Sequence, residues 1–172
     1  MHVSLHPLAA ALLLTLPLLG CKKPETAGPA QAGFDALVAA CTGFLAARAA
    51  HVRPGDGGTW IKTGYSPALV QPELNRTESP VTHYVGKIVI KDNEAQATAS
   101  TQTDAQAITL TPAHLLSNRT HTFVYSYDGQ QWRWQNGQRL TKTPGQNDQT
   151  QALNVADVSA AGSSGFAGCL PR

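Results

Sequence analysis

Cysteine and histidine carry most of the chemical potential of this 172-residue chain, which has 3 of the first and 6 of the second. Cys21 stands directly after an apolar run, residues 8–19, and a glycine, Gly20. Its thiol is a nucleophile at the point where the chain turns abruptly polar. The histidines do not gather. His83, His114 and His121 fall near expected strands and His51 at the end of an expected helix, whereas zinc needs three or four converging ligands. They read as surface or half-buried imidazoles. Gly162-Ser163-Ser164-Gly165 lacks the spacing and the preceding apolar strand of a nucleophile elbow. Asp92 and Glu94 lie in Lys91-Asp92-Asn93-Glu94, which reads as a turn whose acids serve its backbone. Asn75-Arg76-Thr77 and Asn118-Arg119-Thr120 match glycosylation acceptors. No catalytic residue, metal ligand or cofactor is expected, and the chain does not read as an enzyme.

Residues 8–19 are too short to span a bilayer as a helix, which takes about 20 residues. They suit the apolar region of an export signal. The run ends in Leu18-Leu19-Gly20-Cys21. This resembles the lipobox of bacterial lipoproteins: an aliphatic residue three before the cysteine and a small one just before it. Residues 1–6 carry no Lys or Arg, a departure from the usual pattern of such signals. The resemblance implies cleavage between Gly20 and Cys21, a diacylglycerol thioether on Cys21 and an amide-linked acyl chain such as palmitate. With about 0.8 kcal/mol per buried methylene, two or three chains hold a protein to a membrane essentially permanently. Lys22 follows where an Asp would retain a lipoprotein in the inner membrane, so the expected address is the outer membrane, facing the periplasm. Residues 21–32 contain two prolines and no apolar period, and read as a lipidated tether before a single domain, residues 33–172.

Taking Cys21 out of the count leaves Cys41 and Cys169, the number that makes one bridge in an oxidising compartment. The alternative is a buried free thiol at Cys41 and a frayed end at Cys169.

Lys and Arg number 13 and Asp and Glu 11, a net charge of +2, so nothing electrostatic points to nucleic acid. The membrane enters only through the lipid, and an envelope protein is the other partner to look for.

Phe34, Leu37, Val38, Cys41, Phe44 and Leu45 recur at helical spacing, Arg48 continues the stripe, and the helix is expected over residues 33–51. Strands follow at 59–65 and 81–90. In the second, Tyr84, Ile88 and Ile90 share one face and Val81, Val85 and Val89 the other. Residues 66–80 hold three prolines and read as loop. Residues 95–103 alternate small and polar side chains, as on a strand with little room over one face. The sheet continues at 107–111 and 120–127, and Asp128-Gly129 marks a hairpin returning over 130–135. Asn136-Gly137 reads as a second turn. From about residue 141 the chain is polar and Gly-rich, with a short helix expected near 149–158. The fold class is α+β: one N-terminal amphipathic helix on an antiparallel meander, in outline like cystatin-like or NTF2-like rolls.

Tyr125, Tyr127, Trp132 and Trp134 converge on one hairpin face, with Arg133 opposite. Either they form a partner surface, since Trp, Tyr and Arg lead binding hot spots, or they pack under the helix as core. The scarcity of large aliphatics favours the core. The expected role is a lipid-anchored, non-enzymatic protein-binding module of inhibitor, immunity or envelope-assembly type. The alternative is a carrier or sensor of a small apolar ligand, held in a pocket between helix and sheet.

Overall fold

The computed structural model describes residues 28–172 apart from 161 and 163. Cys21, Gly20, Lys22 and the apolar run 8–19 lie outside the described residues. Helix α1, Gly28–Ala46, begins well before residue 33 and ends before residue 51. Pro29 is tolerated because a first-turn residue has no N–H to contribute to the helix ladder. The Trp132 indole Nε1–H donates to the Ala30 carbonyl at 3.0 Å and pins that first turn. Ala30, Phe34, Leu37, Cys41 and Leu45 form its buried stripe.

A seven-stranded antiparallel sheet lies under α1. Strand β1, His51–Pro54, starts at the last residue expected in the helix and runs through the Arg53-Pro54 segment, because it pairs with β2, Trp60–Tyr65. Strand β3, Leu69–Arg76, replaces the loop expected from the prolines. Pro72 is harmless there, since β3 is an edge strand that pairs only with β4. Strand β4, Tyr84–Ala99, is the spine. Its first half pairs with β3 and its second half with β2, so it runs straight through residues 91–94 and no turn forms. Helix α2, Gln102–Ala107, takes the end of the strand expected over 95–103, and residues 108–111 form no strand where the sheet was expected to continue; Thr101 caps α2 by accepting from the Asp104 N–H at 3.1 Å. A 3-10 turn, Pro112–His114, leads into β5, Leu115–Tyr127.

The hairpin at 128–131 forms as read: Asp128 Oδ1 accepts from the N–H groups of Gln130 and Gln131, and Gly129 takes a positive φ of 97°. The second turn does not form. Strand β6, Trp132–Lys142, passes through Asn136 and Gly137, with a bulge opposite Val124 and Tyr125. Gly137 is needed for a close approach: a Cβ there would stand 2.7 Å from the Trp134 ring. Gly137→Ala should therefore cost about 1–3 kcal/mol of stability, read as a lower urea midpoint. Strand β7, Gln149–Leu153, closes the sheet, and helix α3, Val155–Ser159, begins a strap that returns across α1.

The core lies between α1, the strap and one sheet face. Ile88, Ile90, Phe123, Tyr125, Tyr127 and Trp132 supply the sheet side; Val158, Phe166 and Cys169 supply the strap. Cys41 and Cys169 are bonded, both fully buried, which ties the strap to the middle of α1. The Tyr125 hydroxyl donates to the Cys169 carbonyl at 2.8 Å. Among the described residues no helix is long and apolar enough to cross a membrane.

Candidate functional site

Every second residue of β4 and β5 faces α1, and that alternation carries charge inward as well as carbon. Asp92 continues the row of Ile88 and Ile90, and Arg119 continues that of Phe123 and His121; the two sit opposite each other in the ladder. Arg119 grips Asp92 side-on, Nε to Oδ1 at 2.9 Å and Nη2 to Oδ2 at 2.8 Å. Arg48, two residues past the end of α1, donates from Nη2 to the same Oδ2 at 2.7 Å. Arg119 Nη1 reaches Glu94 at 3.2 Å. The Asp92 side chain is completely covered and those of Arg48 and Arg119 are 3% and 5% exposed. Both guanidinium carbons lie over the Tyr65 ring, at 4.7 and 4.4 Å, and that of Arg48 also faces Phe166 at 5.7 Å.

The charges cancel, two arginines against two carboxylates. Burial alone would raise the Asp92 carboxyl, but the hydrogen bonds and charges of Arg119 and Arg48 outweigh it and hold the group below its ordinary 3.8. Burial, then Glu94, pushes the Tyr65 hydroxyl up. With its acids spent on arginines, this cluster reads as structure; it offers neither a free base nor a nucleophile.

His121 sits beside it, sandwiched by Phe166 at 4.4 Å and Phe123 at 6.2 Å, with Nδ1 buried and unpartnered. Burial and the nearby Arg119 charge lower its pKa to about 3. The imidazole should stay neutral in a nitrogen-15 NMR titration from pH 8 down to about pH 3. Because the folded value lies below the unfolded value of about 6.5, the neutral form stabilises fully above pH 6.5. That contribution is lost as the pH falls toward 3.

A cleft of about 410 Å³ opens elsewhere. It is lined by Ala50, Gly64, Ala95, Leu110, Pro112 and Leu115 together with Tyr65, Ser66, Asn93 and Thr111. Gly64 pairs with Ala95, next to the Tyr65–Glu94 pair. Tyr65 and Glu94 belong to the charged cluster on the α1 side, so alternation puts the Gly64–Ala95 row on the opposite face. A second cleft, also about 410 Å³, lies at the edge of the helix–sheet layer between Gly33, Leu37 and Ala40 of α1 and Tyr127, Trp132 and Leu170. The first cleft lies on the far side of the sheet, under the segment that joins α2 to β5. Lys62 holds that segment: its ammonium donates to the carbonyls of Gln106 and Ile108 at 2.7 and 2.6 Å. Leu115, which lines this far-side cleft, is 37% exposed, and the next residue, Leu116, 39%. The cleft's size and its apolar lining with a few polar atoms suit a small ligand.

The aromatic hairpin face is not a partner surface. Tyr125 is completely covered, Tyr127 and Trp132 are 8% exposed, and Trp134 is partly buried against Phe123 and Tyr125. Phe34 of α1 packs at a tilt against Trp132 and meets Tyr125 edge-on, so the helix covers these rings. Arg133 points the other way, exposed and paired with Asp128 at 2.8 Å. Asp92 and Glu94 are not turn acids, and Arg119 is a core residue within a chance acceptor motif. Their signal was phase: Asp92 follows Ile88 and Ile90 at a spacing of two, and Arg48 follows Leu45 on the helix stripe. His114 accepts from the Thr111 N–H at 3.0 Å and caps its own turn. Among the described residues no three His, Cys, Asp or Glu side chains gather as metal ligands. Compared with known proteins, the chain matches no family model, no curated protein and no solved structure.

Proposed function

We propose that this chain is a lipid-anchored protein of the bacterial envelope whose domain binds an apolar ligand and does no chemistry. The anchor rests on Leu18-Leu19-Gly20-Cys21, and Lys22 favours the outer membrane. The binding role rests on one observation, the half-open cleft of about 410 Å³ between Gly64, Ala95, Leu110 and Leu115. Its polar atoms are hydroxyls, amides and backbone, groups that orient a ligand without transforming it.

Residues 28–172 should bind the apolar dye phenylnaphthylamine saturably, one per chain. Leu115→Glu, at an already exposed position, should weaken that binding at least about tenfold by placing a charge at the mouth, with little change in melting temperature. Equal dye affinity in the variant would sink the reading. For the anchor, Cys21→Ser should remove the acyl mass and release the chain from membranes.

A partner protein is the second reading, favoured by the adjacent exposed Leu115 and Leu116. In that case a pull-down from envelope extracts retains a protein that Leu116→Glu loses.

A further inference from the structure

Leu110 stands in the middle of the far-side cleft. Gly64 on β2 pairs with Ala95 on β4, and Ala95 with Leu115 on β5, so the three share one row of the sheet face. The end of the Leu110 side chain rests on that row: a Cβ built on Gly64 would stand 2.6 Å from its Cδ1. The side chain that Gly64 lacks is thus the space in which Leu110 sits. While seated there, Leu110 covers the Gly64 backbone, and a ligand reaches that part of the floor only by displacing it.

The chain on either side of Leu110 is fixed. Before it, α2 lies against β1, β2 and β4 with Ala105 fully buried. Lys62, on the same sheet face as Gly64, donates to the carbonyls of Gln106 and Ile108 at the end of that helix. After it, Thr111 and His114 cap the 3-10 turn that leads into β5. Between these points Thr109 and Leu110 belong to no helix or strand, and among the described residues none hydrogen-bonds to either. Leu110 is therefore retained by apolar contact, and a stretch without hydrogen bonds opens far more readily than the sheet beneath it.

We infer that Thr109 and Leu110 form a gate: Leu110 swings off Gly64 to admit an apolar ligand to the floor of the cleft, and Lys62 is the latch that sets how readily it swings. This rests on the reading of the cleft as an apolar-ligand site and adds the step that controls entry. A gate differs from an open cleft in its kinetics. Opening precedes entry, so the observed binding rate levels off with rising ligand at the rate of opening. Cutting back Leu110 removes that step, whereas trimming an ordinary wall residue only weakens contact. Strand pairing is untouched, since neither gate residue is in a strand.

The core, the sheet and the disulfide all lie within residues 28–172, so this part is mixed with phenylnaphthylamine in a stopped-flow fluorimeter. The wild-type rate should level off as the dye concentration rises. In Leu110→Ala it should rise linearly and pass the wild-type plateau by at least about tenfold. Lys62→Met keeps the stem and loses both hydrogen bonds, so its rate should still level off, at a plateau about fivefold higher. Equal linear rates in all these chains, with Leu115→Glu still weakening the dye, overturn the gate and leave the ligand cleft standing. A plateau that neither variant moves places the slow step elsewhere and also overturns the gate. Dye bound by neither the wild type nor Leu110→Ala overturns both readings.

Discussion

Asp92→Ala should lower the free energy of unfolding by about 3–5 kcal/mol, because it leaves two buried guanidinium groups without the carboxylate they share. The loss is not the worth of the pair. Desolvating the ions cost much of what their attraction returned, so the cluster as a whole is close to neutral in stability. Replacing its three buried ions at once, Arg48→Met with Asp92→Leu and Arg119→Met, leaves only the partly exposed Glu94 and should recover most of the loss. Urea unfolding of wild type, single and triple variants measures both. If Asp92→Ala unfolds at the wild-type midpoint, the cluster is not buried as described. The sign of the pH dependence follows from the same contacts. The folded Asp92 pKa lies below the unfolded value, so its stabilisation is present above about pH 4 and fades as the pH falls through the folded value. The wild type should therefore lose more stability between pH 5 and 3 than the triple variant does.

Removing the Cys41–Cys169 bond should cost about 2–5 kcal/mol. The bridged residues are 128 apart in sequence, a loop long enough to put the chain-entropy model at the upper end of that range. What it holds is specific. Without it the strap keeps the hydrogen bond from Tyr125 to the Cys169 carbonyl and the packing of Val158, Phe166 and Leu170 against the core. Cys41→Ser with Cys169→Ser should lower the melting temperature and raise amide exchange first in residues 155–172. Exchange that rises evenly over the sheet instead would show that the strap and sheet unfold as one unit.

Much of this architecture was legible because it rests on periodicity. The stripe from Phe34 to Leu45 and the alternation of β5 around Phe123 and Tyr125 needed no tertiary information. Asp128-Gly129 was equally plain, since the turn is made by its own residues. The failures came where a neighbour overrides a local preference. Pro72 reads as a breaker until β4 offers an edge. Asn136-Gly137 reads as a turn until Trp134 needs the space a glycine leaves. Lys91 to Glu94 reads as a turn because the arginines that make Asp92 a core residue lie 44 and 27 positions away.

The cleft shows the same division. The small residues of 95–103 point to a strand face with little room, and Ala95, Ala97 and Ala99 do lie where α2 and its connection cover the sheet. That the cover leaves a cleft depends on Ala50, Gly64, Ala95 and Leu115 sharing one row. Residues so far apart in sequence are brought together only by register.

The central claim, that this domain holds an apolar ligand on the face away from α1, is tested most directly by methyl NMR of residues 28–172 titrated with phenylnaphthylamine. The account predicts saturable shifts at the methyls of Ala50, Ala95, Leu110 and Leu115, with Leu37, Leu45 and Leu170 unmoved. Shifts confined to those last three, or none at saturating ligand, would contradict it.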